Sequence, residues 1–124
     1  MFYRQVHLMK KLTDPKEIAE LAALYDIYGP LLKEEHREIF SDYVLENYSL
    51  SEISEGIGVT RQAVYDIVKR SSQRLRDYEE KLKLLEKSEA IESELDALDE
   101  LIDISDEKIK NNIKKITENI RNHL

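Results

Sequence analysis

Arg61, Gln62, Tyr65, Lys69 and Arg70 are the residues of this 124-residue chain whose types and spacing bear most directly on chemistry. Their chemistry is recognition, not bond making. A guanidinium can pair with a guanine edge or a phosphate, and a primary amide with an adenine. An ammonium further along the same helix can neutralise phosphates. A tyrosine near the amide can stack on a base or anchor a protein contact. The reading that follows is a helix that docks on double-stranded DNA, with Arg61, Gln62, Tyr65 and Lys69 at the bases and Lys69 and Arg70 able to reach phosphates.

Advancing about 100° per residue from Arg61 sorts the segment into two arcs. Ala63, Val64, Ile67, Val68, Ser71 and Leu75 fall on one side and are expected to face a core. Gln62, Tyr65, Asp66, Lys69 and Gln73 fall opposite, with Arg61 and Arg70 at the edges. Asp66 opposes the DNA reading, because a carboxylate in the outward arc repels phosphates unless it accepts from a cytosine amine. The competing reading is an amphipathic helix whose outer face is solvated or meets a protein.

Catalysis has little support. His7, His36 and His123 are far apart, and none sits at i, i+4 from a partner ligand. No glycine-rich phosphate loop or nucleophile elbow occurs. Glu34/Glu35, Glu79/Glu80 and Asp99/Glu100 are sequence neighbours on different helix faces and read as solvated surface. The chain has no cysteine, hence no disulfide and no thiolate ligand or nucleophile. It is read as a non-enzyme with no cofactor and no metal site.

The elements that must position these residues are helical. Three Gly and two Pro leave few tight turns, and 36% charged residues favour long solvated helices. Asp14-Pro15-Lys16-Glu17 starts a first helix: Asp14 caps it, Pro15 suits its first position, and Glu17 completes a capping-box-like pair. Ile18, Leu21, Ala22, Tyr25 and Tyr28 form its apolar face, and Gly29-Pro30 ends it. A second helix spans about Lys33 to Glu46, with His36, Ile39, Phe40, Tyr43 and Val44 inward and Glu34 and Glu35 at the positive end of its dipole. Tyr25, Tyr28, Tyr43 and Tyr48 are expected in the core.

Ser49-Leu50-Ser51-Glu52 is a capping box opening a short helix, with Leu50, Ile53 and Ile57 inward. Gly58 can adopt the left-handed conformation that turns the chain, and Thr60 caps the helix beginning at Arg61. A short helix, a glycine turn and a second capped helix make a helix-turn-helix at about Ser49–Arg70.

The helix from Arg61 meets no breaker before Lys87. Tyr78 is expected to pack where it leaves the domain. Beyond, Ile91, Leu95, Leu98, Ile102, Ile109, Ile113, Ile116 and Ile120 form a heptad-like seam. The pattern predicts one helix ending near Asp103 and a last one over Asp106–Asn122. Two readings remain open: a hairpin within one chain, or pairing of two chains, and the second is favoured because a dimer presents two reading helices to a palindromic site. The domain reading is an N-terminal extension at 1–13, a helix-turn-helix domain at 14–78 and a helical C-terminal arm at 79–124. Met1–Leu12 lacks an apolar stretch of signal-peptide type, and reads as a frayed arm or as residues upstream of a start near Met9.

The formal charge of −7 is distributed unevenly. Residues 1–48 carry −3, residues 49–78 carry +1 and residues 79–124 carry −5. The one segment that is not acidic contains the reading helix, and the remainder would repel a phosphate backbone. No apolar run approaches the ~20 residues that span a bilayer, and the absence of cysteine fits a reducing cytosol, so a cytoplasmic protein without membrane contact is expected.

Several separated blocks together carry a resemblance. They are Ala22-Ala23-Leu24-Tyr25-Asp26-Ile27-Tyr28-Gly29-Pro30-Leu31-Leu32, Ser49-Leu50-Ser51-Glu52-Ile53, Thr60-Arg61-Gln62-Ala63-Val64-Tyr65-Asp66, and Leu75-Arg76-Asp77-Tyr78-Glu79-Glu80-Lys81-Leu82. In order and spacing, over roughly residues 18–87, the chain resembles the YlxM family of bacterial helix-turn-helix proteins, whose motif is similar to region 4 of sigma factors. The resemblance implies an all-α fold with a sigma region 4-like head. It implies a regulatory role tied to the signal recognition particle, beside whose GTPase such proteins are typically encoded. DNA binding is suggested by the likeness to sigma region 4, and a protein–protein adaptor of the particle or its GTPase that does not bind DNA is the alternative. The chain departs from the family pattern in a longer N-terminal extension and in Ile67, where a polar residue is expected.

Overall fold

Three of the four helices of the head start where a side chain satisfies a free amide of the first turn, the exception being the one that begins at Glu34. The computed structural model describes residues 14–104 and 106–124, so the expectations for the N-terminal extension, His7 and Ser105 lie outside the described residues. Helix α1 (Pro15–Tyr28) is capped by the Asp14 carboxylate, which accepts from the Lys16 amide at 3.0 Å. Glu17 does not complete a capping box. It reaches instead across to Arg76, 2.8 Å away on a later helix. The reason is energetic: that guanidinium offers a charge-assisted bond that an already solvated amide cannot match. The buried residues of α1 are Leu21, Leu24 and Tyr28, with Ile18, Ala22 and Tyr25 half-buried at the edges.

Gly29 opens a single 3-10 turn, Gly29–Leu31. A Cβ at Gly29 would lie 3.1 Å from the Tyr25 ring, so that close approach is what its lack of a side chain permits. Tyr25 in turn stacks on Phe40 at 5.4 Å between centroids. Helix α2 (Glu34–Val44) buries Ile39, Phe40, Tyr43 and Val44 as expected. Tyr48 does not join them. It follows Asn47, whose φ of 59° swings the chain away from the core, and is 48% exposed.

Helix α3 (Leu50–Ile57) carries the expected capping box in both directions: Ser49 Oγ accepts from the Glu52 amide at 3.0 Å, and Glu52 Oε1 accepts from the Ser49 amide at 3.2 Å. Leu50 and Ile53 are buried, but Ile57 is 49% exposed, contrary to expectation. Ser54 is buried in its stead, its hydroxyl donating to the Ser51 carbonyl at 3.0 Å, which lets a polar residue face the core. Gly58 ends the helix at φ 74°, ψ 30°, and its N–H donates to the Ser54 carbonyl at 2.9 Å. Thr60 Oγ1 then accepts from the Ala63 amide at 3.0 Å and caps the next helix.

Helix α4 (Arg61–Leu82) packs against α1, α2 and α3 and is the spine of the head. It stops four to five residues earlier than the absence of Gly and Pro suggests, because Lys83 takes the left-handed conformation at φ 55°. There the chain divides into two compact units, one ending at Leu82 and one beginning at Lys83. Near the end of α4, Tyr78 stacks on Tyr28 at 5.9 Å, and the Tyr28 hydroxyl donates to Glu79 Oε1 at 2.6 Å.

The second unit is a helical hairpin of α5 (Leu84–Ile102) and α6 (Glu107–Asn122). Asp106 caps α6, its carboxylate accepting from the Lys108 amide at 3.1 Å. Leu95, Ile102 and Thr117 are buried between the helices, and Arg121 pairs with Asp99 at 2.8 Å and with Glu92 and Asp96 at 3.1 Å each. Of the two readings of the apolar seam, the intrachain hairpin is therefore present. All described residues outside turns are helical, and no strand occurs among them.

Candidate nucleic-acid interface

The Gly58 corner and the Thr60 cap fix how α4 leaves the head, and thereby which of its sides meets solvent. Val64, Tyr65, Val68, Ser71, Ser72 and Leu75 are the buried residues of α4. Relative to the arc read from the sequence, the core-facing side is rotated by about half a residue step, some 50°. The physical reason lies in what α4 packs on. Three helices press against it, so its buried stripe is broad, and its centre is set by where they converge instead of by side-chain polarity.

That rotation has one large consequence. Tyr65, expected on the outward arc, is 3% exposed and belongs to the core. It cannot stack on a base without unpacking the head, so its expected place at a DNA contact is corrected. Burial pushes its phenol above the ordinary tyrosine value, with the Asp66 carboxylate adding to the shift; Tyr43 is raised likewise by burial and by Tyr65. Ile67, expected fully inward, is only half-buried.

Arg61, Gln62, Lys69 and Arg70 are all exposed, as expected. Arg61 stands at the helix start, beside Tyr48, Ser49 and Glu52, on the rim of an open hollow of about 350 Å³. Gln62 points out but is not free: its amide nitrogen donates to Asp66 Oδ1 at 3.0 Å. The same i, i+4 arrangement recurs about three turns later, where Gln73 donates to Asp77 Oδ1 at 2.9 Å. Each pair ties up one N–H of an exposed amide, which keeps a carbonyl oxygen and a second N–H as further hydrogen-bonding groups. Arg74, four residues after Arg70, is also exposed. It was missed by the arc drawn from the sequence, and the 50° rotation that buries Tyr65 is what brings Arg74 outward.

The arrangement is therefore a helix with one cation at its start, an amide beside it, and three cations further along, with one carboxylate, Asp66, between the first cation and the rest and a second, Asp77, after the last. The span from Arg61 to Arg74 is about 20 Å at ~1.5 Å per residue. Among the described residues no group of three His, Asp or Glu side chains is placed to hold a metal ion. No helix among them is long and apolar enough to cross a membrane.

Residues 15–120 match the UPF0122 family, helix-turn-helix proteins like YlxM and p13. The chain belongs to that family. The UPF0122 protein of Symbiobacterium thermophilum is 45% identical over 67 residues, 54% of this chain and 63% of its own. That of Caldanaerobacter subterraneus subsp. tengcongensis is 52% identical over 67 residues, 54% of this chain and 57% of its own. That of Fusobacterium nucleatum is 43% identical over 79 residues, 64% of this chain and 77% of its own. The aligned segment thus spans about three-fifths of the first two relatives. Membership of UPF0122 agrees with the YlxM-like blocks and with the helix-turn-helix built around Gly58.

Proposed function

We propose that this UPF0122 protein is a cytoplasmic regulator that docks α4 on double-stranded DNA. Arg61 and Gln62 lie near the base edges, and Lys69, Arg70 and Arg74 lie on the flanking phosphates. The observation that carries the reading is that Arg61, Gln62, Lys69, Arg70 and Arg74 are all exposed on the second helix of a capped helix-turn-helix. A major groove is about 12 Å wide. A helix whose terminal cations are separated by more than that width can set its N-terminal amide in the groove while its cations meet the walls.

The test is binding to random duplex DNA across salt. Three phosphate contacts imply a slope of about −2.7 in log K against log salt, or roughly a 40-fold loss between 50 and 200 mM. Asp66→Asn removes the carboxylate nearest Gln62. One unit charge about 7 Å from a phosphate in water is worth ~0.6 kcal/mol, so the variant is expected to bind about threefold tighter. An unchanged affinity counts against the orientation of α4.

A second reading is favoured by the Gln62–Asp66 hydrogen bond and the chain's overall acidity. In it the same face of α4 meets a protein, and the chain is an adaptor of the signal recognition particle or its GTPase. Failure to bind DNA even at low salt, with capture of that GTPase by the immobilised chain, would replace the first reading by this one.

A further inference from the structure

The second unit holds more apolar surface than a two-helix hairpin can bury. Ile91, Leu95, Leu98 and Ile102 make a continuous stripe along α5, and Ile109, Ile113, Ile116 and Ile120 make one along α6, each in alternating steps of three and four. Only one edge of each stripe is used inside the hairpin. Leu95 and Ile102 are buried, whereas Ile91 is 40% exposed, Leu98 36%, Ile109 51%, Ile116 57% and Ile120 40%.

The reason is electrostatic. The helices meet through the residues that follow the open isoleucines and leucine: Glu92 after Ile91, Asp99 after Leu98, Lys110 after Ile109 and Thr117 after Ile116. Glu92 and Asp99 bind Arg121, Thr117 donates to Asp99 Oδ1 at 3.3 Å, and Lys110 lies 3.9 Å from Asp103. These ion pairs roll both stripes away from the centre of the hairpin. Later residues of α5 pair with earlier residues of α6, so the helices run antiparallel. In an antiparallel pair the same rotation of each helix is mirrored across the contact. The unused edges therefore come to the same side, as one apolar face shared by α5 and α6.

We propose that this face pairs with the same face of a second copy of the chain, closing a four-helix bundle. The charge on the two helices selects that occupant. Helix α5 carries seven Asp/Glu against one Lys, and α6 carries five Lys/Arg against two Glu. Among the described residues, Lys110 and Arg121 are the α6 cations with an ion pair in the hairpin. Two-fold symmetry offers each face a partner carrying both signs, so α6 of one copy can lie on α5 of the other. Glu94, about 40–60° around α5 from Leu98 and Ile91 at ~100° per residue, then borders the contact with the partner's basic α6.

The apolar stripes are ~17 Å long and the face about two helix widths, some 20 Å, across. That is small beside the ~800 Å² per partner of a standard stable interface, so association is expected to depend on concentration over the micromolar range.

Sedimentation equilibrium of the full chain from about 1 to 100 µM is the direct test. The expected result is a monomer–dimer equilibrium that Ile109→Glu/Ile116→Glu weakens by about 100-fold or more. Circular dichroism of that variant should show unchanged helicity, since both side chains are more than half exposed in the hairpin. A gentler pair covers the case where it unfolds: Ile109→Ala/Ile116→Ala keeps the helix and should weaken the dimer about tenfold. A chain that stays monomeric at 100 µM overturns the proposal and leaves the face to a helix of another protein. A dimer indifferent to every one of these substitutions overturns it as well. None of these variants touches α4, so duplex binding by the monomer is a separate readout.

Discussion

Gly56 and Gly58 stand two residues apart in the same motif, yet replacing them by alanine is expected to change stability in opposite directions. A Cβ at either position would meet nothing within 4 Å among the described residues, so steric packing cancels out of the comparison and backbone conformation remains. Gly56 lies inside α3, where alanine is preferred to glycine by up to ~1 kcal/mol. Gly58 is held at φ 74°, and an L-residue there costs about 1–2 kcal/mol. Part of that cost is returned, since alanine narrows the unfolded ensemble by about 0.4–1 kcal/mol. Gly58→Ala should therefore destabilise the head by about 0.5–1.5 kcal/mol, while Gly56→Ala stabilises it by about 0.5–1 kcal/mol. With an m-value near 1 kcal/mol/M for a small unit, the urea midpoint should fall by roughly 0.5–1.5 M in the first variant and rise by up to ~1 M in the second. Fluorescence of the buried tyrosines reports the head, and an unchanged m-value would show that the unfolded state is comparable. Equal signs for the two variants would refute the argument that Gly58 is a strained corner instead of one more helical residue.

Other expectations follow from the core. Tyr65→Ala should destabilise the head by ~3–5 kcal/mol, the cost of deleting a buried ring; if urea denaturation shows a change below ~1 kcal/mol, Tyr65 is not a core residue. Ser71 is 1% exposed and its hydroxyl has no hydrogen-bond partner among the described residues. Ser71→Ala should thus be neutral or stabilising by up to ~1 kcal/mol, and a clear loss of thermal stability would reveal a hydroxyl contact. Tyr43 and Tyr65 both have phenols raised above 10.0 by burial. Their folded forms hold the proton more tightly than the unfolded chain, so this contribution is complete below pH 10 and is lost as pH rises above it. A urea midpoint that falls above pH 10 less steeply in Tyr65→Phe than in the unaltered protein is the expected outcome.

Local signals on the chain were sufficient for much of this molecule. Asp14-Pro15, Ser49-to-Glu52, Gly58 and Thr60 act on backbone amides or φ angles within three residues, so their effect needs no tertiary partner, and each does in the structure what its chemistry dictates. The periodic apolar residues likewise determined that the chain is helical, where the helix-turn-helix lies, and that Arg61, Gln62, Lys69 and Arg70 meet solvent. Tertiary structure decided the rest, because it depends on competition between distant groups. Glu17 abandons its own helix start for Arg76, 59 residues away. Three helices converge on α4 and rotate its buried side by half a residue step, which takes Tyr65 into the core and brings Arg74 out. Ion pairs centred on Arg121 roll two apolar stripes off the hairpin axis. A helical wheel treats each helix as if one neighbour faced its most apolar side; where several neighbours or a cluster of charges pull on the same helix, only their summed energies determine which face is left for a partner.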